Sequence, residues 1–200
     1  MRADSGRRAV FLDRDGVINE NRPDYVKAWG EFAFLPGSLT ALALLARSPL
    51  AIVVVTNQSA VARGTLRPAV LEDIHRRLLA EVAAAGGRID GVYVCPHAPG
   101  EQCGCRKPES GLYLQAAEAL GLDLRQSICI GDKLSDLAAG AAVGCRGILV
   151  LTGEGRRQTL PSEPAFGVAN DLGEAVGLIL VELAAPIRAE AEGDTWRWPS

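Results

Sequence analysis

The chain has 200 residues, of which 48% are hydrophobic, and this is enough to bury the core of one domain. Its formal net charge is −3 and its sequence pI is near 5.5, so we expect no nucleic-acid partner, because proteins that bind nucleic acids usually carry a basic surface. No apolar run reaches the length of a membrane span and the N-terminus has no apolar signal segment, so we expect a cytoplasmic protein without a membrane partner.

Five apolar runs predict strands, in chain order over residues 9–13, 51–57, 91–95, 127–132 and 147–152. Their apolar character is continuous rather than alternating, which is typical of parallel strands that are covered on both faces. Segments with helical spacing alternate with these strands, over 37–47, 68–85, 111–120 and 134–143, and a last helix is expected over 172–183. This order predicts an α/β fold with a doubly wound, Rossmann-like parallel sheet and helices on both faces. We expect one domain over 1–185 and a loose C-terminal tail over 186–200.

Polar side chains stand where two of the predicted strands end. Asp13 and Asp15 close the first strand, directly before Gly16, and Thr56 closes the second. Ligands of parallel sheets bind at the carboxyl ends of the strands, so we expect these side chains to share one site. Carboxylate oxygens suit Mg²⁺, and a hydroxyl group beside free backbone N–H groups suits the oxygens of a phosphate.

Two further groups extend this pattern. Arg106 and Lys107 follow the third strand and offer positive charge to a phosphate, while Asp132 and Asp136 follow the end of the fourth strand. Each group alone has an ordinary explanation, since acidic pairs in loops are mostly solvated and an acid at a helix start is favourable without any ligand. The order of all the groups along successive strands favours a shared site for phosphate and metal.

Together these residues resemble the four motifs of the haloacid dehalogenase (HAD) superfamily of phosphohydrolases. The resemblance covers about residues 9–152. It implies that Asp13 is the nucleophile, which forms an aspartyl-phosphate, and that Asp15 is the general acid and base. It also implies that Thr56 and Lys107 complete the catalytic group by binding the oxygens of the phosphate.

The same resemblance implies a magnesium cofactor. Its expected ligands are the side chains of Asp13 and Asp132 and the backbone carbonyl of Asp15. Phosphoryl transfer depends mainly on positioning and charge neutralisation, which a bound Mg²⁺ supplies. Asp136 is expected to orient a water molecule or Lys133 rather than to bind the metal.

The loop over residues 95–105 is predicted to bind zinc. Its four soft ligands are Cys95, His97, Cys103 and Cys105. Such a set is typical of a closed, structural Zn²⁺ site, which would hold Arg106 and Lys107 in place; the alternative is a chance cluster of unrelated side chains. The second histidine of the chain, His75, falls among the charges of a predicted helix and is expected at the surface.

Only residues 16–35 lie between the acidic pair and the first predicted helix, so we expect a minimal cap. Selectivity for the substrate must then come from this segment, from the turn after Thr56 and from the zinc loop. The residues expected to bind substrate are Asn21, Arg22, Asp24, Tyr25, Asn57, Gln58, Ser59, Arg63, Arg106 and Lys133.

The zinc loop is similar to that of a HAD subgroup that contains D-glycero-D-manno-heptose-1,7-bisphosphate phosphatases and histidinol-phosphate phosphatases. TNQSAVARG at 56–64 resembles the heptose enzymes, and Arg63 and Arg106 suit the second phosphate of a bisphosphate. The five residues between His97 and Cys103 are instead closer to the histidinol-phosphate enzymes. We expect a monomer that removes the 7-phosphate of a small sugar bisphosphate, with histidinol phosphate as the alternative substrate. A non-catalytic, zinc-stabilised binding module is the alternative from a different class.

Overall fold

A computed structural model of the protein describes residues 6–184. Its centre is a parallel sheet in the order β3-β2-β1-β4-β5-β6. The strands are β1 (Ala9–Leu12), β2 (Ala51–Asn57), β3 (Gly91–Cys95), β4 (Ile128–Gly131), β5 (Arg146–Val150) and β6 (Gly167–Ala169). The predicted doubly wound parallel sheet is confirmed.

Strand β6 is an addition to the five predicted strands. It has three residues, it pairs with β5 alone among the strands of residues 6–184, and the polar loop before it gives no apolar run. A strand this short produces no periodic signal in the sequence. The predicted tail over 186–200 lies outside the described residues.

Five α-helices connect or follow the strands, and their bounds differ from the predicted ones by at most two residues. They are α1 (Ser38–Leu45), α2 (Pro68–Ala84), α3 (Gly111–Leu120), α4 (Leu134–Ala141) and α5 (Leu172–Ala184). None of the helices within residues 6–184 combines the length and the apolar character needed to cross a membrane.

Side chains of each inner strand alternate between two buried layers. In β1, Val10 and Leu12 belong to a layer with α1, α2 and α5, whereas Ala9 and Phe11 belong to a layer with α3 and α4. Successive residues of a strand point to opposite faces, so a strand that is apolar throughout can fill both layers. This explains why the strand sequences are continuously apolar.

The strand order brings the polar strand ends together. Strand β1 lies between β2 and β4, where the direction of strand succession reverses, and ligands of open α/β sheets bind at such a point. Asp13 directly follows β1, Thr56 lies near the end of β2, and Asp132 directly follows β4.

Residues 16–35 form a small flap beside this edge of the sheet. The backbone N–H of Glu20 donates to the carbonyl of Ala33 at 2.8 Å, which joins the two ends of the flap. Stacked or edge-on ring contacts hold its interior together, between Trp29, Phe32 and Phe34. Its one described helical element is a single 3-10 turn, Trp29–Glu31, so it is the minimal cap that the sequence predicts.

Candidate active site

Lys107 lies at the centre of a group of buried charges. Its Nζ lies 2.8 Å from Asp13 Oδ1 and 2.8 Å from Asp136 Oδ1, and it donates to the carbonyl of Val55 at 2.8 Å. All three charged side chains are buried. Burial alone would lower the pKa of Lys107, but the two carboxylates raise it above its ordinary value, so the lysine is held as a cation.

Asp132 faces this group, and one of its oxygens accepts no hydrogen bond within residues 6–184. Its Oδ2 accepts from the backbone N–H of Glu154 at 2.8 Å, whereas its buried Oδ1 has no hydrogen-bond partner within residues 6–184. Burial and the negative charge of Asp13 raise the pKa of Asp132 to about 7. Carboxylate oxygens of Asp13, Asp132 and Asp136 lie within 4.8 Å of one another, and such a set fits a hard cation such as Mg²⁺.

Asp136 already has partners for both of its oxygens. One oxygen pairs with Lys107, and the other accepts the backbone N–H of Lys133 at 3.1 Å. This agrees in part with the expectation that Asp136 orients water or Lys133: Asp136 binds the backbone N–H of Lys133, it pairs in addition with Lys107, and a role in orienting water stays a prediction. Asp13 and Asp132 remain as the carboxylates better placed to hold a metal ion.

Two glycines allow the neighbouring loops to approach Asp132. Gly16 and Gly153 have positive φ angles of 92° and 54°, and a Cβ atom on either would lie 2.2 Å from Asp132 Oδ2. The hydroxyl of Thr152 donates to the carbonyl of Gly16 at 2.6 Å and so ties the loop after β5 to the loop after β1. Only glycine combines this backbone conformation with so close an approach.

Asp15 is surrounded by hydrogen-bond donors. Arg14 Nη2 lies 2.9 Å from both of its oxygens, Asn19 Nδ2 donates to Oδ1 at 2.8 Å, and Gln58 Nε2 donates to Oδ2 at 2.7 Å. Burial raises the pKa of Asp15, but the charge of Arg14 and these hydrogen bonds outweigh it and lower the pKa below its ordinary value. Asp15 is thus a carboxylate with a fixed orientation.

Behind Asp15 lie two residues that the sequence analysis did not place in the site. The side chain of Arg14 is fully buried, and its Nη1 lies 3.0 Å from Nε2 of His75. The expectation that His75 lies at the surface is wrong, because it is only 8% exposed. A signal was present, since His75 falls four residues after Leu71 and three before Leu78, on the buried face of α2.

The end of β2 and the turn after it form hydrogen bonds with other residues of the site. Gln58 Nε2 donates to Thr56 Oγ1 at 2.9 Å, in addition to Asp15. The side chain of Asn57 donates to the carbonyl of Lys107 and accepts from its backbone N–H, both at 3.1 Å. Asn57, the last residue of β2, therefore fixes the backbone that carries Lys107, and contacts of Asn57 and Gln58 with substrate stay predictions.

Two of the predicted substrate-binding residues of the flap, Asn21 and Tyr25, contact neighbouring loops. Asn21 Nδ2 donates to Glu154 Oε1 at 3.3 Å. Tyr25 has a left-handed backbone with φ 65°, and its hydroxyl lies 3.2 Å from Ser59 Oγ. Within the flap, Arg22 pairs with Asp24 at 3.2 Å. The flap is thus joined to the loop after β5 and to the turn after β2.

The three other predicted substrate-binding residues are cations at different places around the site. Arg106 Nη1 donates to the carbonyl of His97 at 3.1 Å, so it is tied to the zinc loop. Lys133 Nζ lies 3.7 Å from Asp132 Oδ1. Arg63 is exposed on the loop after β2.

The four predicted zinc ligands converge. Cys95 Sγ lies 3.3 Å from Cys105 Sγ, 3.7 Å from Cys103 Sγ and 3.5 Å from His97 Nδ1. A tetrahedral zinc ion with Zn–S bonds of about 2.3 Å separates its sulfur ligands by roughly 3.8 Å, so the spacing fits a metal. Backbone N–H groups, among them that of Arg106, outweigh burial and lower the pKa of Cys103 to about 7, which favours the thiolate that metals bind. Burial raises the pKa of Cys95 to about 12 and raises that of Cys105, so without a metal these two remain thiols.

Comparisons with known proteins agree with this geometry. The family model described as HAD-hydrolase-like matches residues 104–175. The D-glycero-beta-D-manno-heptose-1,7-bisphosphate 7-phosphatase of Pseudomonas aeruginosa is 44% identical over 76% of this chain and 85% of that protein. The D-glycero-alpha-D-manno-heptose-1,7-bisphosphate 7-phosphatase of Mycobacterium tuberculosis is 43% identical over 70% of this chain and 78% of that protein.

A solved structure gives the same result. The D,D-heptose 1,7-bisphosphate phosphatase of B. bronchiseptica, complexed with magnesium and phosphate, superposes with a TM-score of 0.82 at 39% identity and covers 88% of this chain and 99% of that chain. The chain therefore belongs to the HAD-like hydrolases, in the subgroup that includes the D-glycero-D-manno-heptose-1,7-bisphosphate 7-phosphatases.

Proposed function

We propose that the protein is a Mg²⁺-dependent phosphomonoester hydrolase that removes the 7-phosphate of D-glycero-D-manno-heptose 1,7-bisphosphate through an aspartyl-phosphate. One observation carries the chemistry: buried Asp13 pairs with Lys107 and lies beside Asp132, whose inner oxygen has no hydrogen-bond partner within residues 6–184. The names of relatives that are 42% and 44% identical to this chain support the substrate.

In the first step, a carboxylate oxygen of Asp13 attacks the phosphorus atom, and the bond between phosphorus and the sugar oxygen breaks. Asp15 gives its proton to that oxygen, so the leaving group departs as an alcohol. Asp15 is a carboxylate in the free protein, and the negative phosphate that enters the site favours its protonation. In the second step, Asp15 takes a proton from a water molecule that attacks the phosphorus, which releases phosphate and restores Asp13.

The residues that would hold the metal ion are Asp13, Asp132 and the backbone carbonyl of Asp15. When bound, Mg²⁺ neutralises negative charge on the phosphoryl group in transfer. Lys107 binds a further oxygen of that group and keeps the attacking Asp13 in place, while the hydroxyl of Thr56 donates to another oxygen. The contact between Lys107 and Asp13 and the closeness of Asp13 to Asp132 support these roles.

Zn²⁺ has a structural role in this proposal. Cys95, His97, Cys103 and Cys105 would hold it, and no ligand position is left open for a reaction. The ion fixes a short polar loop that contains no apolar core of its own, and Arg106 and Lys107 follow that loop directly. Arg63 and Arg106 are assigned to the phosphate that does not react.

The second candidate substrate is histidinol phosphate, which the short spacing between His97 and Cys103 favours. The test is to measure kcat/KM for phosphate release from both anomers of heptose 1,7-bisphosphate and from histidinol phosphate, with and without Mg²⁺. We expect the highest value for a heptose bisphosphate and no turnover by the Asp13→Asn variant. A higher kcat/KM for histidinol phosphate would show that histidinol phosphate is the substrate. A wild-type protein that acts on none of the three compounds would favour a non-catalytic binding module. Action as a monomer in the cytoplasm stays a prediction.

A further inference from the structure

Arg14 connects the candidate active site to helix α2. Its Nη2 lies 2.9 Å from each oxygen of Asp15, and on the other side of the guanidinium group Nη1 lies 3.0 Å from His75 Nε2. The Cζ atom of Arg14 also lies 5.9 Å from the ring centroid of Phe32 in the flap. Two edges and one face of the guanidinium group therefore have defined contacts.

His75 must act as the acceptor in its contact with Arg14. A guanidinium group has only donors, so Nε2 of His75 is unprotonated and the ring is neutral. This agrees with the pKa of His75, which burial and the charge of Arg14 lower to about 4. A carboxylate at this position would compete with Asp15 for the charge of Arg14, whereas a neutral imidazole orients the group and leaves its charge to Asp15.

We propose that His75 is a positioning residue: by accepting a hydrogen bond from Arg14, it fixes the orientation in which Asp15 protonates the leaving oxygen. The inference rests on the proposed function, because it gives Asp15 the role of general acid. Asp15 can turn about its side-chain bonds, and its contacts with Nη2 and Nε of Arg14 set the plane of its carboxyl group. If His75 is removed, Nη1 of Arg14 loses its hydrogen-bond acceptor, and the guanidinium group is then held, within residues 6–184, by Asp15 and Phe32 alone.

A purely structural role for His75 predicts different kinetics from a positioning role. The alkoxide of a sugar is a strong base and needs a proton from Asp15 as it leaves, whereas p-nitrophenolate is a weak base and leaves without one. The value of kcat/KM includes no step after the leaving group departs, so it isolates this effect. General loss of structure lowers kcat/KM for both substrates alike.

The test compares His75→Leu, which has no acceptor, with His75→Gln, whose amide oxygen can accept. We expect His75→Leu to lower kcat/KM for heptose 1,7-bisphosphate by about tenfold or more, in line with the usual contribution of a general acid, and that for p-nitrophenyl phosphate by less than about threefold. His75→Gln should retain most of the kcat/KM for heptose 1,7-bisphosphate that His75→Leu loses. Equal losses on the two substrates, or no loss on either, would overturn the proposal.

A second variant keeps the test valid if His75→Leu does not fold. His75 borders a cavity of about 330 Å³, together with Leu71, Val94 and Pro96, and this cavity is large enough to admit a free imidazole molecule. We expect added imidazole to restore heptose bisphosphate turnover by His75→Ala and to leave the wild type unchanged; no restoration counts against the proposal. An inactive wild type would instead contradict the proposed function itself, so the two failures are distinguishable.

Discussion

At the scale of single residues, the site is defined by the pairing of buried charges. Three carboxyl groups lie within 4.8 Å of one another, and within residues 6–184 Lys107 is the cation in direct contact with two of them. Buried like charges repel strongly, so the lysine stabilises the free protein as well as the reaction.

We therefore expect Lys107→Met to lower the free energy of unfolding by about 3 to 5 kcal/mol, because it leaves buried carboxylates without their cation. It should also lower kcat/KM by about 100-fold or more. Urea unfolding and phosphate release measure the two effects, and Lys27→Met, which removes a partly exposed lysine, is the stability control. Equal stability of the two variants would contradict the described charge group.

A second residue-scale prediction concerns the glycine that lies against Asp132. Gly153→Ala should displace the carboxyl group of Asp132, because a Cβ atom there lies 2.2 Å from Oδ2. We expect the Mg²⁺ concentration for half-maximal activity to rise by about tenfold, as is typical for disturbance of a metal ligand.

Gly37 provides the matched control for this change. It also has a positive φ, of 78°, but a Cβ atom there meets nothing within 4 Å. Gly37→Ala should cost about 1 kcal/mol of stability through backbone strain and leave the Mg²⁺ dependence unchanged. The same Mg²⁺ response in both alanine variants would show that crowding at Asp132 is not the cause.

At the scale of elements, helix α2 makes stability depend on pH through His75. The pKa of His75 is lowered from 6.5 to about 4 in the folded protein, by burial and by Arg14. Between these two pH values the unfolded chain binds a proton that the folded chain does not. The contribution of neutral His75 to the free energy of unfolding is therefore fully present above pH 6.5 and is lost as the pH falls towards 4.

The wild type should accordingly lose up to about 3 kcal/mol more stability than His75→Gln between pH 7 and pH 4. Urea unfolding of both proteins at pH 7, 5.5 and 4 measures the difference, and all other titrating groups are common to the pair. A difference that does not change with pH would mean that His75 is not buried as a neutral side chain.

The zinc loop allows a prediction about metal removal. A strong chelator followed by dialysis into Mg²⁺ should lower activity by about tenfold or more, because Arg106 and Lys107 lose their support. Adding Zn²⁺ should restore activity, and elemental analysis should find one zinc per chain in the untreated protein.

Two cysteine variants provide the comparison. Cys103→Ala should lose zinc, whereas Cys145→Ala should keep it, since Cys145 is a buried side chain outside the group of four ligands. Full activity of zinc-free protein in Mg²⁺ alone would contradict a supporting role for this loop.

At the scale of the whole molecule, what could be predicted from the sequence depended on local patterns. Continuous apolar runs indicated the parallel strands, and the strand ends indicated where Asp13, Thr56 and Asp132 would meet. Contacts between distant parts of the chain left no such pattern: Lys107 and Asp13 are 94 positions apart, and Arg14 and His75 are 61 apart. The pairing of Asp136 with Lys107 was not predicted, for the same reason. The burial of His75 could have been predicted, because this residue lies on the apolar face of α2.

The place of β3 at the margin of the sheet has a consequence for how such enzymes diverge. Cys95 ends this strand, which within residues 6–184 pairs with β2 alone, so the loop from Cys95 to Cys105 begins at the margin of the sheet. Residues can be inserted or deleted between His97 and Cys103 without disturbing a strand or either pair of flanking ligands. Loop length at this point can therefore vary without a change in the strand order, because surface loops tolerate insertions and deletions.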